Sequence, residues 1–316
     1  MTSQQPLVSI IIPVYNGSNF VKEAIDSALA QTYPNLEVIV INDGSCDDGK
    51  TEEIALSYGD KLRYFHKGNG GVSSALNFGI REMRGEYFSW LSHDDKYTET
   101  KIEKQIQRLQ GGGDIAVCSE RQINSESNYL SKPSDYTKEE RAGVIGWQDE
   151  TCTIIDKTLF SGCALLIPKT VLDDVGFFDE ELRYNQDFDM WIKICLKGYS
   201  WTYHNDVGVL SRVHENQVTQ TRRDLFFGDS YKLGKRMIPR LAKLSDNKYN
   251  FLYLYAKHCA KYNLTENVAL CKIEAKGKKM FSFEQNVTLF FVGIYGKLRP
   301  LIRKIYYALF KKVKTQ

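Results

Sequence analysis

No Cys-x-x-Cys pair occurs among the seven cysteines, at 46, 118, 152, 163, 195, 259 and 271. Their odd number and patternless scatter argue against a zinc knuckle or a disulfide framework and favour reduced, buried thiols. No segment approaches the ~18 uninterrupted apolar residues that a spanning helix needs. The amino end has no basic region, long apolar run or cleavage site, so no signal peptide is expected. A net charge of +3 is too small to argue for nucleic acid. There is no internal repeat or low-complexity segment. One further absence is local. From Gln285 to Gln316 there is no acidic residue, against basic ones at Lys297, Arg299, Arg303, Lys304, Lys311, Lys312 and Lys314.

What is present is an ordinary globular composition, 42% hydrophobic and 26% charged, in 316 residues. That length buries a full core, with one domain plus a smaller appendage as the natural division. Three near-continuous apolar runs end in polar residues: Val8–Val14 before Tyr15 and Asn16, Leu36–Ile41 before Asn42 and Asp43, and Tyr87–Leu91 before Asp94 and Asp95. Such runs describe strands buried on both faces, in a parallel sheet with a ligand crevice along their carboxyl ends. Helical patterns alternate with them, the α/β signature.

Ser18 or Asn19 is placed to cap the first helix, and Thr100 with Glu103 reads as a capping box. Periodicity breaks down over 122–160, which reads as a long polar loop with short elements, covering the active site. Gln186 to Leu196 fits a helix with Phe188, Trp191, Ile192 and Cys195 inward. A strand near 201–209 ends at Ser211-Arg212-Val213-His214, and 222–316 reads as mainly helical.

The order of motifs resembles the family 2 nucleotide-sugar glycosyltransferases, inverting enzymes of the GT-A fold, of the bacterial surface-polysaccharide type. The matching pieces are Val8 to Asn16, Gln31 to Ser45, Asn69-x-Gly71, Ala75-x-Asn77-x-Gly79, Gly85-Glu86-Tyr87, Leu91-x-x-Asp94-Asp95, Val175-Gly176-x-Phe178-Asp179-Glu180 and Asp187-x-Asp189-x-Trp191. They cover roughly residues 7–215. The resemblance implies a Rossmann-like, mostly parallel sheet flanked by helices, with a mainly helical C-terminal extension. It also implies a catalytic domain over 1–220 (nucleotide-sugar half about 1–120, acceptor half about 121–220), and an extension with a basic tail over 221–316. Three positions depart from the family pattern: Ser92 stands where a further aspartate is common, Gln186 where glutamate is, and Leu76 where arginine is.

Asp94 and Asp95 at a strand end suit a hard cation, Mn²⁺ or Mg²⁺, which takes oxygen ligands while sharing substrate phosphates. His214 joins them in the expected metal set. Asp43 can accept from the imide N–H of a uracil or thymine ring, a role the resemblance supplies; the bland alternative is a plain Asp-Gly turn. Pro13, Val14, Tyr15 and Asn16 are the expected nucleotide floor. Lys67 and Gly71 belong to a glycine-rich turn able to wrap phosphates, with Lys67 taking over from the missing arginine. Asn77 is expected to face the crevice, His93 to lie near the donor and metal, and Arg212 to reach the diphosphate. Asp187 is the expected general base, since inverting transfer needs one carboxylate on the acceptor side and no nucleophile; its bland reading is a helix cap. Trp147, Asp149, Glu150 and Gln186 are the expected acceptor contacts.

In the tail, Phe290, Phe291, Ile294, Leu298, Ile302, Ile305, Leu309 and Phe310 accompany the basic run. That combination suits an anionic membrane surface, here the inner leaflet of the cytoplasmic membrane; docking on the catalytic domain or in a homodimer is the alternative. The expected function is metal-dependent transfer of a sugar from a nucleoside-diphosphate sugar, UDP-linked, to an oligosaccharide or lipid-linked glycan, by a cytoplasmic, peripherally bound enzyme. A sugar nucleotidyltransferase and a non-catalytic glycan-binding protein on a degenerate transferase fold are the rivals.

Overall fold

The computed structural model describes residues 5–130, 144–157, 161–215, 223–246, 248–278 and 281–311. The chain divides into two compact units, residues 1–150 with 159–223, and residues 151–158 with 224–316.

The first unit is built on a sheet of order β3-β2-β1-β4-β8-β6-β9-β5, with β7 pairing off β9. The strands are β1 (Val8–Val14), β2 (Leu36–Asn42), β3 (Arg63–His66), β4 (Tyr87–Trp90), β5 (Lys96–Tyr97), β6 (Ile115–Ile123), β7 (Val144–Ile145), β8 (Leu165–Pro168) and β9 (Trp201–Arg212). Strands β3, β2, β1 and β4 run parallel. All seven β1 residues are buried, which is why its sequence does not alternate. Strand β8 enters antiparallel between β4 and β6, while β6 and β9 pair in parallel. The carboxyl ends of β1, β2, β3, β4, β6 and β9 therefore share one edge, the crevice edge. Strands β5 and β7 oppose β9.

Helices α1 (Val21–Leu29), α2 (Lys50–Leu56), α3 (Val72–Glu82), α4 (Lys101–Gln110), α6 (Lys169–Val175) and α7 (Gln186–Leu196) belong to this unit, and α5 (Trp147–Lys157) begins in it. Helix α3 closes on the sheet through Gly79, where a Cβ would lie 2.5 Å from Ile11 Cγ2. In α7 the four expected inward residues are buried. The two expected caps differ. Helix α1 starts after Phe20 with no side-chain cap, and Thr100 precedes α4 without a capping bond; Glu103 instead accepts from Thr32 Oγ1 at 2.6 Å. The stretch 122–160 holds the end of β6, β7 and the eleven-residue α5, and part of it, 131–143 and 158–160, lies outside the described residues.

The second unit contains α8 (Arg223–Leu244), α9 (Phe251–Lys261), α10 (Thr265–Lys278) and α11 (Phe283–Lys311). Asn250 caps α9 by accepting from Tyr253 N at 2.9 Å. Buried Asn267 ties α10 to α8 through Ser230 O at 2.7 Å. Helix α11 meets α9 so closely that a Cβ on Gly296 would lie 2.2 Å from Ala260 O.

Candidate active site

The exits of β1 and β2 are stitched into one rim. Asp43 N donates to Val14 O at 2.8 Å, Asn16 N to Ser45 Oγ at 2.9 Å, and Cys46 N to Asn16 Oδ1 at 2.7 Å. Asn16 takes a left-handed φ of 49°, a conformation its short amide tolerates. Tyr15 is exposed on this rim with Oη 3.6 Å from Cys46 Sγ. Pro13 and Val14 are buried, so they can offer a ligand main-chain atoms only.

Asp43 is also buried, and its carboxylate is taken up within the protein. It accepts from Lys67 Nζ at 2.7 Å, Gly70 N at 3.0 Å and Gly71 N at 2.7 Å. The glycine-rich turn thus aims its N–H groups and its lysine at Asp43, which stands where the sequence suggests an anion would sit. Lys67 and Gly71 lie on the rim as expected, but held by a carboxylate of the chain itself.

Asn77 does not present a free amide to the crevice. Its Nδ2 donates to Phe178 O at 2.9 Å and Glu180 Oε1 at 2.8 Å, and its Oδ1 accepts from Phe178 N at 2.9 Å. One helical turn earlier on α3, Ser73 Oγ donates to Leu182 O at 3.3 Å, and Arg183 Nη1 reaches Gly70 O at 2.6 Å. Residues 178–183 therefore climb one face of α3, which starts at the crevice edge, and deliver α7 there with Asp187 in its first turn. Burial pushes the Asp187 carboxyl up to about 6, against the pull of the Phe188 N–H that it accepts at 2.7 Å. Gln186 beside it is buried, and its Oε1 has no hydrogen-bond partner among the described residues.

The adjacent aspartates part company. Asp94 Oδ2 lies 3.0 Å from His214 Nε2. Asp95 turns inward, accepting from Arg212 N at 2.8 Å and from the Cys163 thiol at 3.5 Å. Burial, then the neighbouring Asp94 charge, raises the Asp95 carboxyl well above its usual value. Its carboxylate is thus taken up within the protein, so the expected shared ion loses Asp95 as a ligand. Among the described residues no group of three His, Cys, Asp or Glu side chains could hold a metal. A hard cation that keeps waters and takes phosphate oxygens needs only one or two protein ligands, and Asp94 with His214 fit that demand. His93 lies beside them. Burial lowers its imidazole pKa, the Asp94 charge opposes this, and the ring bonds to the Pro13 backbone.

Arg212 is not available to a diphosphate. It is fully buried. Its Nε donates to Asp94 O at 2.9 Å, Nη1 to Ser125 O at 2.7 Å and Asn124 O at 3.1 Å, and Nη2 to Glu23 Oε2 at 3.0 Å. Its Cζ sits 4.4 Å from the Phe20 ring centroid, and the same ring lies 5.2 Å from that of His214. The expected alternation holds, since residues 212 and 214 both converge on Asp94, but one braces its backbone while the other meets its carboxylate.

Of the expected acceptor contacts, Gln186 stands beside Asp187, whereas Trp147, Asp149 and Glu150 lie elsewhere. Ile145 of β7 pairs with Trp201, the amino end of β9, so Trp147 and Asp149 lie at the edge opposite the crevice. At ~3.3 Å per residue, the length of β9 separates them from Arg212 by more than about 25 Å. Glu150 is buried there and accepts from Tyr203 Oη. Sequence reasoning missed Glu23, Phe20, Cys163 and Arg183. Each acts through partners distant in sequence, and none carries a local signal.

A crevice runs along the strand carboxyl ends, with the Asp94–His214 pair and the Asp187 carboxylate on its flank. The family profile described as glycosyl transferase family 2 matches residues 9–175. An uncharacterised glycosyltransferase of Rickettsia typhi is 51% identical over 222 residues, covering 68% of this chain and 67% of its own length. The chain belongs to glycosyl transferase family 2. A related UDP-Glc:alpha-D-GlcNAc-diphosphoundecaprenol beta-1,3-glucosyltransferase from Escherichia coli is 27% identical, over 83% of this chain and 99% of its own. The fold matches that of S. aureus TarS 1–349 in complex with UDP-GlcNAc, with a TM-score of 0.65 at 17% identity, covering 90% of this chain and 79% of that one. Against a Rickettsia felis relative, 47% identical over 67% of this chain, the matched stretch spans only 35% of that protein's length.

Proposed function

We propose that residues 1–220 form the catalytic domain of an inverting, metal-dependent glycosyltransferase. It moves a hexosyl or N-acetylhexosaminyl unit from a UDP-sugar to a hydroxyl of a lipid-linked glycan. The observation that carries this reading is Asp187, a carboxyl raised to about 6 and brought to the same sheet edge as the Asp94–His214 pair. In one displacement the acceptor oxygen bonds to the anomeric carbon, the bond to the diphosphate breaks, and Asp187 takes the acceptor proton. Asp94 and His214 would hold a Mn²⁺ or Mg²⁺ ion, which when bound neutralises charge on the diphosphate. Tyr15, Asn16 and Asp43 receive the nucleotide, and Gln186 the acceptor. The UDP-sugar and lipid-linked acceptor are supported by the activity that the E. coli relative's name states.

Calorimetric titration with UDP, dTDP and GDP tests the donor site. One nucleotide, UDP, is expected to bind with Mn²⁺ and to lose at least about tenfold in affinity with EDTA or in Asp94→Ala. Binding indifferent to both changes overturns the metal assignment.

The second unit is the membrane contact in this reading. No helix among the described residues is long and apolar enough to cross a membrane. On α11, Val287, Phe290, Phe291, Ile294, Tyr295 and Leu298 are exposed at helical spacing, while Leu289 and Gly296 face inward. With no acidic residue from 285 to 316, that stripe suits an anionic bilayer surface; a second copy would bring like charges together. Sedimentation with phosphatidylglycerol vesicles is expected to carry the protein down. Phosphatidylcholine vesicles and the Phe290→Ser/Phe291→Ser variant should leave it in the supernatant.

A further inference from the structure

The Gly70–Gly71 turn is gripped from two sides. The buried Asp43 carboxylate takes the Gly70 and Gly71 N–H groups at 3.0 and 2.7 Å, and Arg183 Nη1 donates to Gly70 O at 2.6 Å. Gly71 has a left-handed φ of 86°, and a Cβ on it would lie 2.1 Å from Arg183 Nη1. A side chain here would be strained by the backbone and would also displace the arginine. Behind Arg183, the Ser73 and Asn77 bonds fix residues 178–182 along α3. Ahead of it, Asn185 precedes α7 and Asp187 lies in the first turn.

We infer that Arg183 is a positioning residue that couples donor occupancy at Asp43 to placement of the Asp187 carboxylate. The inference rests on the proposed roles of Asp43 and Asp187. A carboxylate has about four acceptor positions, and Asp43 already fills three with Lys67, Gly70 and Gly71. An imide N–H arriving there takes the remaining position and, by drawing on the same carboxylate, weakens its hold on those partners. The Gly70 peptide feels the change, and through its carbonyl so does Arg183. Residues 178–182 are bonded along α3 and lead through Asn185 directly into α7, so a shift at Arg183 is passed to the turn bearing Asp187. Without Arg183 the donor would still bind, but the base would be set less accurately over the acceptor hydroxyl.

The test is a double-mutant cycle on the full chain, read by amide hydrogen exchange across 178–187. Asp43→Asn and Arg183→Met are each expected to speed that exchange, with the double variant no faster than either alone. Unchanged exchange in Asp43→Asn, or additive effects, overturns the coupling. Kinetics supply the second arm. Arg183→Met is expected to lower kcat by about 100-fold, the scale of a small misplacement, with UDP affinity nearly unchanged and the acid limb of the pH profile shifted. Arg183→Lys should restore part of the rate. A loss that merely follows a lowered melting temperature, with the pH profile unmoved, overturns it as well. If Asp187→Asn keeps full activity, the base assignment falls, and the exchange cycle still decides the coupling alone.

Discussion

Replacing Asp187 by asparagine is expected to abolish transfer while making the protein more stable. A positioned general base contributes about 10²–10⁴-fold, so kcat should fall by that factor with donor affinity nearly intact. In the wild type, kcat/KM should decline below the pH at which the carboxyl, raised to about 6, takes up a proton. The stability effect has the opposite sign. In the folded protein burial holds the proton more tightly than the ordinary carboxyl value of 3.8 does. The acid form therefore suits the fold, and its relative stabilisation, complete below about pH 4, is lost as pH rises through about 6. At neutral pH the charged Asp187 costs on the order of 1–2 kcal/mol, after allowing for its partial exposure. Asparagine removes that cost. Thermal melts at pH 4 and pH 7.5, run beside initial rates, check both halves. A base that served only as a helix cap would lose stability on substitution and keep its pH profile.

The parts of this fold that are legible from sequence are those decided locally. Strands β1, β2 and β4 announce themselves because burial on both faces leaves no polar residue in the run. Helix α7 shows its bounds, Gln186 and Leu196, because its apolar residues keep the helical period. The antiparallel entry of β8 between β4 and β6 has no local mark, since strand order is set by pairing across long stretches of chain. For the same reason β7, pairing at Trp201, took Trp147 and Asp149 to the wrong edge. In the site, the run ending at Asp94 and Asp95 located the crevice. Which aspartate faces it was decided by Arg212 N and Cys163, far along the chain. Asn77 was legible as a residue in use, but its partners at 178 and 180 show that it holds structure.

Arg212→Met should unfold the first unit more readily than any other single change at the site. The guanidinium is fully buried, and four backbone or side-chain oxygens, on Asp94, Asn124, Ser125 and Glu23, depend on it. A methionine of similar length fills space but donates nothing, leaving those oxygens short of partners. Breaking a buried pair from one side costs about 3–5 kcal/mol. Glu23 is 40% exposed and can rehydrate, so the lower end applies. That predicts a melting temperature lowered by roughly 6–12 °C. Burial works to raise the Glu23 carboxyl, but Lys96, Ser127 and Arg212 outweigh it and hold its pKa below the usual value. Its contribution is thus present above that usual value and lost as pH falls, so the gap between wild type and Arg212→Met should narrow in acid. Arg212→Lys keeps the charge but not the fork, and should recover only a fraction. A phosphate-binding arginine would behave otherwise, with donor KM rising and the melting temperature unmoved. Because Arg212 holds the Asp94 carbonyl and shares the Phe20 ring with His214, its loss should also loosen the Asp94–His214 pair. Nucleotide titrations on Arg212→Met, held below its lowered melting temperature, should then show weaker dependence on Mn²⁺ than the wild type.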